Sequence, residues 1–113
     1  MPVAVPAPVP VSGLGSAALN VAYGLAGVPY VANAASPAGF DCSGLVSYAF
    51  AQVGLPLPHN ANAIGSMGTV INPADAQPGD LVVYSGHIEF WVSPGVMFGA
   101  SVPGTVVGTH NIW

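Results

Sequence analysis

Lysine and arginine are absent from all 113 residues. Ionisable charge is confined to Asp41, Asp75, Asp80 and Glu89, with His59, His87 and His110 as the remaining bases, for a formal net charge of −4. A chain without a fixed cation cannot neutralise phosphates, which argues against nucleic acid as a partner. The same lack weakens any attraction to anionic lipid. Cysteine is almost absent too. Cys42 stands alone, which excludes an internal disulfide and a multi-cysteine zinc site, and no metal or cofactor is expected. Long apolar runs are also lacking. The first twelve residues are rich in valine and alanine but are broken by Pro2, Pro6, Pro8 and Pro10, and they contain no basic residue. They read as neither a signal peptide nor a membrane span, so no membrane insertion is expected. No repeat of solenoid period is present.

What the chain does have is apolar content, 52 % of residues, enough for one compact core. Residues 1–12 read as an extended Pro/Ala-rich linker or tail, in keeping with attachment to a larger parent protein. Residues 13–113 read as one domain. A helix is expected over 16–27, with Ala17, Ala18, Leu19, Ala22 and Leu25 available for burial and Gly27 as its stop. A loop rich in Pro and Gly follows over 28–41. Leu45, Val46, Tyr48, Ala49, Phe50 and Val53 then recur at helical spacing, with Asp41 as N-cap and Gly54 as terminator. Residues 58–77 look irregular, with a short helix near 60–66. Beyond Pro78-Gly79-Asp80, four strands are expected at 81–84, 88–92, 96–98 and 105–107, separated by Ser85-Gly86, Ser93-Pro94-Gly95 and Pro103-Gly104. Helices followed by an antiparallel meander make an α+β domain.

Cys42 falls in the first turn of the second helix. A thiol is a useful nucleophile only as its thiolate, and without Lys or Arg two agents remain to favour the anion: the helix N-terminus and a histidine. The amides of that turn also suit an oxyanion. A buried, inert cysteine is the competing reading. Among the histidines, His59 lies in a Pro/Asn-rich loop and His110 near the C-terminus, where solvation and fraying are the defaults. His87, at a strand edge, is better held and is the favoured base.

The segments Gly27-Val28-Pro29-Tyr30-Val31 and Pro37-Ala38-Gly39-Phe40-Asp41-Cys42-Ser43-Gly44-Leu45-Val46 resemble the nucleophile region of NlpC/P60 cell-wall peptidases. Leu57-Pro58, Pro78-Gly79-Asp80-Leu81 and Gly86-His87-Ile88 follow in that family's order, so the resemblance runs over about residues 16–107. It implies a papain-like core with the nucleophile at a helix N-terminus packed on an antiparallel sheet. It implies a peptidoglycan endopeptidase acting on stem peptides, typically between γ-D-glutamate and the following diamino acid. By position, Cys42 becomes the nucleophile and His87 the general base. Tyr30 would orient substrate or support the oxyanion site, and Asp41 and Ser43 would line the substrate groove. Each of these three also has a plainer role: packing for Tyr30, capping for Asp41, backbone satisfaction for Ser43. Such an enzyme works in the extracellular cell wall or is delivered by phage.

One departure matters. The family's third catalytic position, a polar residue about twelve after the base, falls here on Gly99, which cannot orient an imidazole. Three readings stay open. Glu89, two residues after His87 and on the same strand face, can take the role, and its presence with Gly99 can be compensatory; a solvated strand carboxylate is the plainer reading of it. A backbone carbonyl or water can fill the gap. Or the domain has lost activity and only binds peptidoglycan. Acyl transfer to an amine on the same Cys/His core is a further alternative to hydrolysis.

Overall fold

The computed structural model describes residues 3–5, 14–68 and 70–112. Its elements run β1 (Val3–Val5), α1 (Leu14–Tyr23), β2 (Ala35–Ser36), β3 (Gly39–Phe40), α2 (Cys42–Gln52), α3 (Ala61–Met67), a 3-10 turn at Pro73–Asp75, then β4 (Leu81–Tyr84), β5 (His87–Ser93), β6 (Val96–Gly99) and β7 (Gly108–Asn111). Five strands form one antiparallel sheet in the order β1-β4-β5-β6-β7, and β2-β3 make a small hairpin in front of α2. This is the α+β arrangement of helices and an antiparallel meander that the sequence predicts.

In α1, Gly15, Ala18, Leu19 and Ala22 recur at helical spacing and are the buried positions. Glycine and two alanines among them leave room for α1 to pack against α2. The α2 helix begins where its cap dictates: Asp41 has extended backbone angles, and its Oδ1 accepts from the Gly44 amide at 2.7 Å. It ends at Val53, with Gly54 in the left-handed region at φ 94°. The strand alternation of β5 sends Ile88 and Phe90 into the large core shared with α1 and α2, while Trp91 joins a smaller cluster with Val82 and Met97. Phe50 of α2 stacks on Phe90 of β5 with ring centroids 5.9 Å apart. That contact, worth about 1 kcal/mol beyond simple burial, ties together the two elements that begin with Cys42 and His87.

Two expectations need correction. The first helix is shorter than 16–27 at its C-terminal end, stopping at Tyr23 and continuing as turns through Gly27. The short helix expected near 60–66 is α3, capped by the Asn60 side chain on the Ala63 amide. The last strand lies at 108–111 rather than 105–107. The backbone of 105–107 is spent elsewhere: Tyr30 and Gly27 donate to the carbonyls of Thr105 and Val107, and Val107 donates to Val28. The edge of β6 is therefore left for Gly108–Asn111, with Met97 opposite His110. In the Pro-rich start, Val3–Val5 add an edge strand on β4; the remainder of 1–12 lies outside the described residues. Among the described residues, no helix is long and apolar enough to cross a membrane.

Candidate active site

Cys42 is the first residue of α2, is 8 % exposed and lines a groove. The loop before it is fixed by backbone bonds from Asp41 to Ala34, Phe40 to Pro29 and Val31 to Phe40. Gly44 makes this crossing possible. A Cβ there would meet the Ala34 carbonyl oxygen at 2.1 Å, so any side chain would push the hairpin off the helix start. The Cys42 sulfur lies 4.0 Å from the Gly86 carbonyl oxygen, in the turn that leads into β5.

His87 opens β5, and its ring is held by Glu89, whose Oε2 lies 2.6 Å from His87 Nε2. A carboxylate on that nitrogen sets the ring's orientation. The Cys42 side chain is near enough to act on the ring's protonation. Burial, the largest single influence, disfavours imidazolium. The hydrogen bonds to Cys42 and Glu89 and the charge of both outweigh it together, and the His87 pKa is pushed up from 6.5 to about 9.

Glu89 is fully buried, and its side chain contacts a second imidazole: His110 Nε2 bonds to Oε1 while His87 holds Oε2. Gly99 explains how the carboxylate fits. Continuing the Phe90↔Phe98 register by one residue sets Gly99 opposite Glu89. A Cβ on Gly99 would stand 2.8 Å from Glu89 Cγ and Oε1. The missing side chain on β6 is the space that the Glu89 side chain uses. The two departures noted in the sequence are thus one spatial feature.

On the solvent side of Cys42 a groove of about 320 Å³ is lined by Tyr30, Asn33, Asp41, Ser43, His59 and Asn62, among others. Burial, and then the neighbouring Cys42 and Asp41, raise the pKa of the Tyr30 hydroxyl, which stays protonated as a donor. Asp41 does more than cap. Its Oδ1 also contacts His59 Nε2 at 2.6 Å, and its Oδ2 accepts from the Asn33 amide at 3.0 Å. The structure therefore brings Cys42, His87 and Glu89 together, with the His87–Glu89 pair hydrogen-bonded and Tyr30, Asp41 and Ser43 along the adjoining groove. His59 and His110, read from sequence as solvated and frayed, are both engaged by carboxylates. For His110 the only sequence signal is Gly108 and His110 at strand spacing, which the more β-prone Thr105-Val106-Val107 outweighs. Among the described residues, no group of three or more His, Cys, Asp or Glu is arranged to hold a metal ion.

The NlpC/P60 family model matches residues 27–112, a span that includes every residue just described. The chain belongs to the NlpC/P60 family. It is 37 % identical over 95 residues to the protein named probable endopeptidase Rv2190c of Mycobacterium tuberculosis, covering 81 % of this chain and 25 % of that protein. It is 42 % identical over 77 residues to the γ-DL-glutamyl hydrolase of Bacillus subtilis, covering 66 % of this chain and 19 % of the relative. The solved structure of the peptidoglycan hydrolase RipB from M. tuberculosis superposes with a TM-score of 0.80 at 30 % identity, covering 93 % of this chain and 63 % of that one. The chain thus spans about a quarter of the length of the mycobacterial relative. Its fold is the papain-like NlpC/P60 arrangement, with the helix that starts at Cys42 packed on the sheet that carries His87.

Proposed function

We propose that this NlpC/P60 domain is a cysteine endopeptidase that hydrolyses a bond in peptidoglycan stem peptides, that from γ-D-glutamate to the next diamino acid. The observation that carries the reading is the bond from His87 to the buried Glu89, with Cys42 at the start of α2 near enough to act on the same ring. In this scheme the Cys42 sulfur attacks the carbonyl carbon, and the charge developing on its oxygen meets donors at the start of α2. The Gly44 amide is occupied by Asp41 and the Leu45 amide by the Asp41 carbonyl, which leaves the amides of Cys42 and Ser43 for that role. The protonated Tyr30 hydroxyl stands beside them as a further donor. His87, as imidazolium, protonates the leaving amine from Nδ1. It then takes a proton from the water that releases the acyl group, which restores the Cys42 thiolate beside the His87 imidazolium. Glu89 fixes the ring orientation throughout and stabilises its charge.

The γ-linked bond is supported by the relative whose name specifies γ-glutamyl hydrolysis. A domain covering a quarter of a relative also fits a module of a larger wall-acting protein. The Glu89 contact on the far ring nitrogen favours catalysis over a module that only binds the wall. The test is Cys42→Ala on purified peptidoglycan. Release of soluble peptides should cease while the melting transition is retained, and undiminished release would overturn the assignment.

A further inference from the structure

Resting on that reading, we propose that His110 is a positioning residue of the hydrolytic site, acting through Glu89 on His87. Glu89 is inaccessible to solvent, and each of its two oxygens meets one imidazole Nε2. With only His87 as donor, Oε1 would be a buried acceptor without a partner, and the carboxylate would be free to rotate away from the ring it orients. No Lys or Arg exists anywhere in the chain to take that place. His110 does so from β7, two strands away from β5.

The geometry is specific to this combination of residues. Glu89 turns its Oε1 into the space left by the missing Gly99 Cβ, and His110 meets it there. Where a polar side chain at position 99 would serve as the orienting group itself, this chain sets the group one strand back and braces it from one strand forward. The brace requires an N–H donor at the position of the His110 Nε2. It does not require imidazole chemistry, because His110 contacts the carboxylate and not the sulfur.

That distinction supplies the experiment. His110→Gln keeps an N–H donor at similar reach, whereas His110→Phe keeps the ring volume and removes the donor. On purified peptidoglycan, the Phe variant should lose about tenfold in kcat with KM unchanged, the loss expected for one hydrogen bond to a charged group. The Gln variant should stay within about threefold of the parent, since the bond is retained. Alkylation of Cys42 by iodoacetamide at neutral pH, which reads the thiolate–imidazolium pair without any wall substrate, should slow in the Phe variant and recover in the Gln variant. Full kcat and full alkylation rate in the Phe variant would overturn the proposal, as would equal losses in Phe and Gln variants that melt like the parent. Failure of the underlying catalytic reading looks different: Cys42→Ala would go on releasing peptides whatever the His110 variants do.

Discussion

Two carboxylate–imidazole clusters lie within this small domain, and they differ mainly in their access to water. Asp41 and His59 meet at the mouth of the groove, with side chains 14 % and 32 % exposed, while Glu89 is fully enclosed with His87 and His110 on its two oxygens. The ion-pair distance is 2.6 Å both in the Asp41–His59 pair and in the Glu89–His87 pair. What separates them is what each carboxylate loses if its partner is removed. Asp41 keeps the Gly44 and Asn33 amides and can turn to solvent. Glu89 has no solvent to fall back on, so each imidazole is needed for its charge to be tolerated at all. The same chemical pair is thus an adjustable surface feature in one place and a fixed part of the site in the other.

The sharpest way to break this comparison is Glu89→Ala. Both imidazoles lose an acceptor, and a cavity opens beneath β6. Stability should fall by about 3 kcal/mol, read by chemical denaturation, from two charge-assisted bonds and lost packing. Hydrolysis of purified peptidoglycan should drop by about a hundredfold, because His87 is left without a fixed tautomer. A variant that kept parent activity would remove Glu89 from the mechanism. Next in size is Gly99→Ala. The new Cβ must displace the Glu89 side chain, and overpacking of this kind costs about 1–3 kcal/mol. If Glu89 orients His87, activity should fall alongside stability in this variant. Loss of stability with no loss of rate would separate the packing of Glu89 from its role at the ring.

The pH dependence sharpens the same contrast. His87 has a folded pKa of about 9 against an ordinary value of 6.5. A base raised on folding stabilises the native state fully below its unfolded value, and that contribution disappears as pH rises through the folded value. Thermal melts should therefore show a Tm that declines between 6.5 and about 9 on account of this residue. In Cys42→Ala, where one of the causes of the shift is gone, the decline should be shallower. Identical slopes in the two proteins would mean that the sulfur does not contribute to holding the imidazolium.

Legibility from sequence followed how local the determining interactions are. The start of α2 was readable because Asp41, Gly44 and Gly54 act within a few residues of where they stand. So was β4, bounded by Pro78-Gly79-Asp80 and Ser85-Gly86. Glu89 could be nominated because strand period places it on the His87 face. His110 could not, since its role depends on the register of β6 against β7, and that register is set by loop 27–30 capturing the backbone of 105–107. Nothing within 105–111 announces that Thr105-Val106-Val107 will be diverted. Likewise Gly99 reads in sequence as a lost functional residue, and only the cross-strand neighbour reveals it as the space for Glu89.

The smallest effect should come from His59→Ala at the exposed cluster. The Asp41–His59 pair is of the partly solvated kind that contributes about 0–1 kcal/mol and weakens with salt. Asp41 retains its bond to the Gly44 amide, so the cap on α2 and the placement of Cys42 survive. Stability should change by no more than about 0.5 kcal/mol, and kcat should be unaltered. KM for peptidoglycan is where the change should appear, because His59 lines the groove and sets how much of the Asp41 charge a bound substrate meets. If His59→Ala instead lowered kcat as severely as Glu89→Ala, exposure would not be what distinguishes the clusters. The groove-side pair would then have to be counted as part of the machinery that positions Cys42.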